Sequence, residues 1–204
     1  VSIGRADLIA AVERLAAAME RDAQMLNAAD GALGDGDLGV TMTRGMRLVS
    51  ERAAELPEDL GLALLQCAQA FTKASGSSYG TLLATGLMAV AKAVKGETAV
   101  PAARVSELSA TARDAMQARG KAELGGKTVL DSLDAVARAT EGLDDAAAVA
   151  DAAAEAADRA LDALRDRKAT VGRARIFADR SVGMDDPGML AMARIVKALA
   201  DREG

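Results

Sequence analysis

The sequence predicts an all-α protein of about eight helices, and three features carry that prediction. Half of the 204 residues are apolar, yet only 1% are aromatic. Apolar residues recur at spacings of three and four along much of the chain. Short segments rich in Gly, Ser and Asp separate these stretches. A core of Ala, Leu, Val, Ile and Met is the mix of packed helices, whereas strands draw on Val, Ile, Thr, Tyr, Phe and Trp. The length suits one domain, 1–204, with a core of its own.

Leu8, Val12, Leu15 and Met19 mark one face of a first helix that ends near Leu26. A glycine-rich acidic stretch follows, from Asn27 to Gly39. A second helix covers about 40–54, and Pro57 opens a third at a first-turn position. Leu60, Leu64, Ala68 and Phe71 form the stripe of that third helix. After a small-residue turn at 74–80, the segment from Thr81 to Val94 is apolar nearly all round, which predicts a helix in the middle of the fold. Further helices are predicted at about 104–118, 128–141 and 144–166, the last with Glu155 and Arg159 placed for an i,i+4 pair. Residues 167–186 lack a period and read as a long functional loop. Asp186-Pro187-Gly188 then opens a final helix, whose buried face is Met189, Met192, Ile195 and Leu199. No strand is predicted.

The chain contains no histidine, which removes Ser-His-Asp and Cys-His catalysis, histidine metal sites and a neutral-pH imidazole base. Chemistry must come from carboxylates, hydroxyls, Lys, Arg, backbone groups or a bound metal. The net charge of −5 and the lack of a basic run argue against nucleic acid as a partner. No apolar stretch suits a membrane span and no secretory pattern opens the sequence. Cys67 is the single cysteine, so a reducing, cytoplasmic compartment is expected.

Asp30, Asp35 and Asp37 are the strongest chemical signal. No Lys or Arg lies between Asp22 and Thr43 to neutralise them. Two carboxylates about 4 Å apart repel by roughly 1 kcal/mol in water and about 4 kcal/mol at an effective dielectric of 20. Three in one bend call for a cation, and Mg²⁺ is held by carboxylates together with substrate phosphates. An EF-hand starting at Asp35 would need an oxygen ligand and a Glu where the chain has Gly39 and Met46. On local grounds alone the three aspartates also serve as turn and cap residues.

Four segments carry a wider resemblance: Gly34–Met42, Ala74–Thr81, Gly126–Asp131, and Gly172 through Gly188. In order and spacing they resemble the L subunit, or L domain, of dihydroxyacetone kinases. The resemblance implies an eight-helix antiparallel up-and-down barrel with ADP or ATP at one end. It implies that Asp30, Asp35 and Asp37 hold two Mg²⁺ ions against the phosphates. Backbone groups of Leu38, Gly39, Val40 and Thr41 would cap the phosphate chain, and Ser75 and Gly76 would make a second phosphate contact. Gly120, Thr128 and Val129 match positions lining the nucleotide, Arg173 one that reaches it, and Asp186, Pro187 and Gly188 the turn over base and ribose. Ordinary capping and packing also account for Ser75, Gly76, Gly120, Thr128, Val129 and the Asp-Pro-Gly turn, and a solvated surface role for Arg173.

Two departures bear on the substrate and the phosphoryl donor. Leu38 and Thr41 stand where the family pattern has His and Asn, and Met184 or Asp185 where it has a second His. In the family the ketose is held by a histidine on a separate K-type subunit or domain. The expected partner is therefore such a subunit, with a phosphotransferase-system protein as a further candidate donor and a homodimer as a candidate assembly. Rival readings are a helical ligand-binding module, a related kinase-like domain serving fatty acids, and a Mg²⁺-dependent phosphohydrolase.

Overall fold

The computed structural model describes residues 2–74 and 77–201, with the side chains of Ala74 and Arg173 outside that description. Among the described residues there are eight α-helices: α1 (Arg5–Leu33), α2 (Leu38–Ser50), α3 (Leu60–Ala74), α4 (Ser78–Ala93), α5 (Val105–Gly120), α6 (Val129–Ala139), α7 (Ala146–Leu164) and α8 (Pro187–Ala200). Each helix packs on the next, and α8 returns to α1, so the ring closes. This is the expected all-α up-and-down barrel.

Where the sequence predicts no strand, Ser2–Gly4 and Ala99–Pro101 form a short antiparallel pair, β1 and β2, with Ile3 opposite Val100. Three residues a side leave too little pattern to read. The third helix starts at Leu60 and not at Pro57, because the Asp59 carboxylate accepts from the Leu62 N–H at 3.0 Å and caps it. The first helix passes the predicted end at Leu26 and runs to Leu33, whose fully buried side chain packs with Ala169 and Ala174. The α7–α8 connection has one 3₁₀ turn, Arg173–Phe177.

The helix predicted to lie mid-fold is α4, and it is one stave of the ring, with Met88 43% exposed. Its all-round apolar character has a different cause. A stave has a neighbour on each flank as well as an inward face, so three sides need small or apolar residues. Gly80, Ala84, Gly86 and Ala91 are its buried positions. The barrel interior holds the fully buried Met19, Leu26, Met42, Phe71, Met116 and Met189. Flexible Met side chains fill the space that aromatic residues would occupy in a richer composition.

An alternating ring gathers its connections into two sets. The α1–α2, α3–α4, α5–α6 and α7–α8 connections share one end, and the other three share the opposite end with β1 and β2. All four motif segments fall in the first set. No helix among the described residues is long and apolar enough to cross a membrane.

Candidate functional site

The acidic bend begins on a helix. Asp30 lies in the last turn of α1, the chain reverses through 34–37, and Asp37 is the N-cap of α2. Gly36 makes the reversal with φ +79°, a left-handed conformation that a side chain disfavours. The Asp30 carboxylate accepts the N–H of Asp37 at 2.9 Å and of Leu38 at 3.3 Å. One turn earlier on the same face of α1, the Asn27 amide oxygen accepts the N–H of Gly39 at 2.7 Å and of Val40 at 3.2 Å. Two side chains of α1 thereby cap the orphan donors of α2. The helices approach so closely here that a Cβ on Gly39 would lie 2.0 Å from the Ala23 carbonyl oxygen.

This geometry brings Asp30, Asp35 and Asp37 together. Each offers a carboxylate oxygen, and these oxygens all lie within 4.8 Å of one another, with Asp30 half-buried and the other two exposed. The donor set is oxygen only and open to solvent on one side, which fits a hard divalent cation such as Mg²⁺.

Beside the three carboxylates a cleft of about 740 Å³ opens between the connections at this end. Leu33, Leu38, Tyr79, Leu82 and Val129 give it an apolar lining, and Asp186-Pro187-Gly188 forms a further wall. Every one of the four odd-to-even connections contributes. Of the predicted site residues, Asp30, Asp35, Asp37, Leu38, Thr128, Val129, Asp186, Pro187 and Gly188 meet in this one place. Gly39, Val40, Thr41 and Gly120 are not in its lining. The N–H groups of Leu38, Gly39 and Val40 are held by Asp30 and Asn27, and that of Thr41 donates to the Asp37 carbonyl at 2.9 Å. Ser75 and Gly76 lie outside the described residues, although the adjoining Ser77 and Ser78 reach the cleft. The side chain of Arg173 is likewise outside the description, and its neighbours Gly172 and Ala174 are both wall residues.

Local sequence explains how these walls are held. Thr128 caps α6, its hydroxyl accepting from the Leu130 N–H at 3.2 Å while Asp131 reaches back to the Thr128 N–H at 2.8 Å. Ser77 caps α4 by accepting from the Gly80 N–H at 3.1 Å, and Asp186 caps α8 by accepting from the Met189 N–H at 2.9 Å. Burial raises the Asp186 carboxyl to about 6, against the opposing pull of the Met189 N–H and the Lys127 charge. The Tyr79 hydroxyl is buried without a hydrogen-bond partner, and burial followed by the nearby Asp186 raises its pKa. A buried unsatisfied hydroxyl beside a cleft is a group held ready for a ligand or water.

Three contributors escape the sequence reading: Asn27, Tyr79 and Lys127. Asn27 could have been found from its place one turn before Asp30, and Tyr79 as the only tyrosine of the chain, inside the second motif segment. Lys127, inside the third segment, is 1% exposed.

Residues 32–201 match the family described as the DAK2 domain. The chain is 31% identical over 91% of its length to the ADP-binding subunit DhaL of PEP-dependent dihydroxyacetone kinase 1 from Listeria innocua, and covers 90% of that protein. It is 32% identical over 93% of its length to human triokinase/FMN cyclase, of which it spans only 34%. Its fold superposes with a TM-score of 0.76 and 25% identity on the dihydroxyacetone kinase of C. freundii, crystallised with AMP-PNP and Mg²⁺. There it covers 96% of its own length and 33% of the solved chain.

Proposed function

The chain belongs to the DAK2-domain family, and from that premise we propose that it is the nucleotide-binding, phosphoryl-transferring part of a dihydroxyacetone-kinase-type enzyme. The observation that carries this reading is the convergence of Asp30, Asp35 and Asp37 at the edge of a cleft walled by all four motif-bearing connections. A relative whose name specifies ADP binding and a solved neighbour holding AMP-PNP and Mg²⁺ support it.

Asp30, Asp35 and Asp37 would hold two Mg²⁺ ions. Bound Mg²⁺ supplies charge neutralisation for the phosphates, which is most of what phosphoryl transfer asks beyond positioning. Asp30 keeps the bend in register through its two backbone contacts while it offers an oxygen to the metal. The apolar wall around Val129 and Leu82 takes the base, and Asp186, Pro187 and Gly188 close over base and ribose. Arg173, carried between two wall residues, supplies a permanent positive charge toward the nucleotide. Gly39, Val40 and Thr41 act from behind, by fixing the start of α2, and Ser75 and Gly76 extend the wall formed by Ser77. Gly120 bears on the nucleotide only through the α5 end that it occupies.

A histidine-free chain has no imidazole to hold a ketose, so the acceptor, dihydroxyacetone or a related small ketose, sits on a K-type partner. Exposed apolar side chains around the site end, among them Val40, Leu124, Ile176, Val182 and Met184, suit such docking. Calorimetry with ADP tests the reading: binding that requires Mg²⁺ is expected, and binding indifferent to Mg²⁺ would overturn it. ATP hydrolysis by the isolated chain would favour a phosphohydrolase. Slow release of bound ADP would indicate rephosphorylation in place by a phosphotransferase-system protein, and fast exchange would indicate ATP as the donor.

A further inference from the structure

Lys127 is a fully buried cation that the phosphate chemistry leaves without a task. It adopts φ +62°, one of two non-glycine positive values among the described residues, a conformation that a residue with a Cβ disfavours. Its ammonium donates to the carbonyl oxygens of Arg165 at 2.8 Å, Arg167 at 2.9 Å and Ser181 at 2.6 Å. An ammonium has three donors, and all three are used on main-chain oxygens. Desolvation lowers the Lys127 pKa while Asp186, Asp185 and Asp166 oppose the shift.

The three acceptors lie near the start and near the end of the α7–α8 connection, so this one side chain ties that loop across its base. Ser181, fully buried, tightens the same place: its hydroxyl accepts from the Ala169 N–H at 2.8 Å and donates to the Ala178 carbonyl at 2.6 Å. The Gly183 N–H adds a bond to the Arg165 carbonyl at 3.0 Å. Between the tied points run Val171, Gly172 and Ala174, which wall the cleft. On the other side Lys127 is followed directly by Thr128 and Val129, which wall it too. A single ammonium therefore sets the separation of two cleft walls.

We propose that Lys127 is a positioning residue for the nucleotide: with Ser181 it forms an internal knot that holds the 165–183 segment against the α5–α6 connection, and so sets nucleotide affinity from outside the binding surface. The inference rests on the nucleotide-binding reading above. Its distinguishing consequence is chemical. Lys127→Ala would leave three carbonyl oxygens converging on an emptied channel, the same oxygens that an added primary ammonium ion could satisfy.

Calorimetry at fixed ionic strength with Mg²⁺ and ADP is the test, beginning with the unaltered chain. Absence of binding there defeats the nucleotide reading itself, before any variant is made. Given binding, Lys127→Ala should weaken it by about tenfold or more, because an ordered wall must now be assembled by the ligand. Propylammonium, which replaces the deleted atoms, should restore most of the affinity, and tetramethylammonium, which has no N–H, should not. Amide exchange between 169 and 183 should speed up in the variant and slow again with propylammonium. Unchanged ADP affinity, or equal rescue by both cations, would overturn the proposal. If Lys127→Ala does not fold, Ser181→Ala decides: it removes only the hydroxyl of the knot and should weaken ADP by about threefold or more, and unaltered affinity in that variant rejects the knot's role.

Discussion

The two ends of the barrel are built from the same staves and are finished differently. At the end away from the cleft, polar groups answer one another. The Asp59 carboxylate accepts from the N–H of Leu62 and of Gly96, each at 3.0 Å, and the Leu60 N–H donates to the Glu97 carbonyl at 2.8 Å. Arg104 pairs with Glu97 at 2.7 Å and Glu107 at 3.2 Å, and Arg5 donates to the carbonyls of Leu56 and Ala54. Leu60, Val94 and Val100 pack beneath them. At the cleft end three carboxylates crowd together, Tyr79 keeps an unpaired buried hydroxyl, and Asp186 is buried with a raised pKa. The comparison teaches that one end closes the fold while the other holds back polar groups for a ligand. Conflict of this kind between local comfort and global design concentrates at functional sites.

The strongest way to break this contrast is to remove the acidic cluster. An Asp35→Asn/Asp37→Asn variant, or chelation of divalent ions, should cut ADP affinity by about three orders of magnitude, about 4 kcal/mol. Calorimetry measures this. The ligand-free variant should melt at the same temperature or higher, since like-charge repulsion is relieved. A lower melting temperature would make these acids structural caps and remove the asymmetry between the ends.

Gly39→Ala comes next in size. Its Cβ would meet the Ala23 carbonyl oxygen at 2.0 Å and the Asn27 amide oxygen at 2.8 Å. Backbone cannot yield as a flexible side chain would, so α2 must shift off α1 at a cost of about 3 kcal/mol. Denaturant unfolding measures it, and a near-neutral result would show that the α1–α2 contact at the bend has slack.

How much of this was legible in the sequence differs between the ends and between kinds of contact. Helix stripes such as Leu8-Val12-Leu15-Met19 were readable because their period is local. The last two turns of α1 were not, since they are supported by Leu33 packing on Ala169 and Ala174, far along the chain. The convergence of Asp30, Asp35 and Asp37 was readable because repulsion within a short stretch demands an explanation. Asn27 and Lys127 were not, because their partners are main-chain N–H and C=O groups, which leave no trace in residue type. Tyr79 acquires its meaning only from the neighbours that bury it. What sequence conveys here is the chemistry that the site presents, and what it conceals is the backbone bonding that holds the site in shape.

A pH series sharpens the comparison with a moderate effect. With its carboxyl raised to about 6 by burial, Asp186 keeps its proton in the folded protein at pH values where the unfolded chain has released it. The folded state then binds more protons, so stability falls as pH rises from about 4 to about 6 and levels off above, a change of about 2–3 kcal/mol. Asp186→Asn, which keeps an acceptor for the Met189 N–H, should flatten that part of the curve. An unaltered slope in the variant assigns the pH dependence to other carboxylates.

The smallest predicted effect tests whether the ends are independent. Asp59→Ala deletes the cap of α3 and the bond to Gly96, both at the end remote from the cleft. Loss of such a cap costs about 1 kcal/mol, which thermal unfolding resolves. Mg²⁺-dependent ADP affinity should stay as it was, because α3 continues for fifteen residues before it reaches the cleft end and its packed length should absorb a disturbance at its start. A parallel fall in affinity would mean that the ring transmits strain from one end to the other. The cleft would then depend on the closed end for its shape as well as its stability, and the division of labour drawn between them would fail.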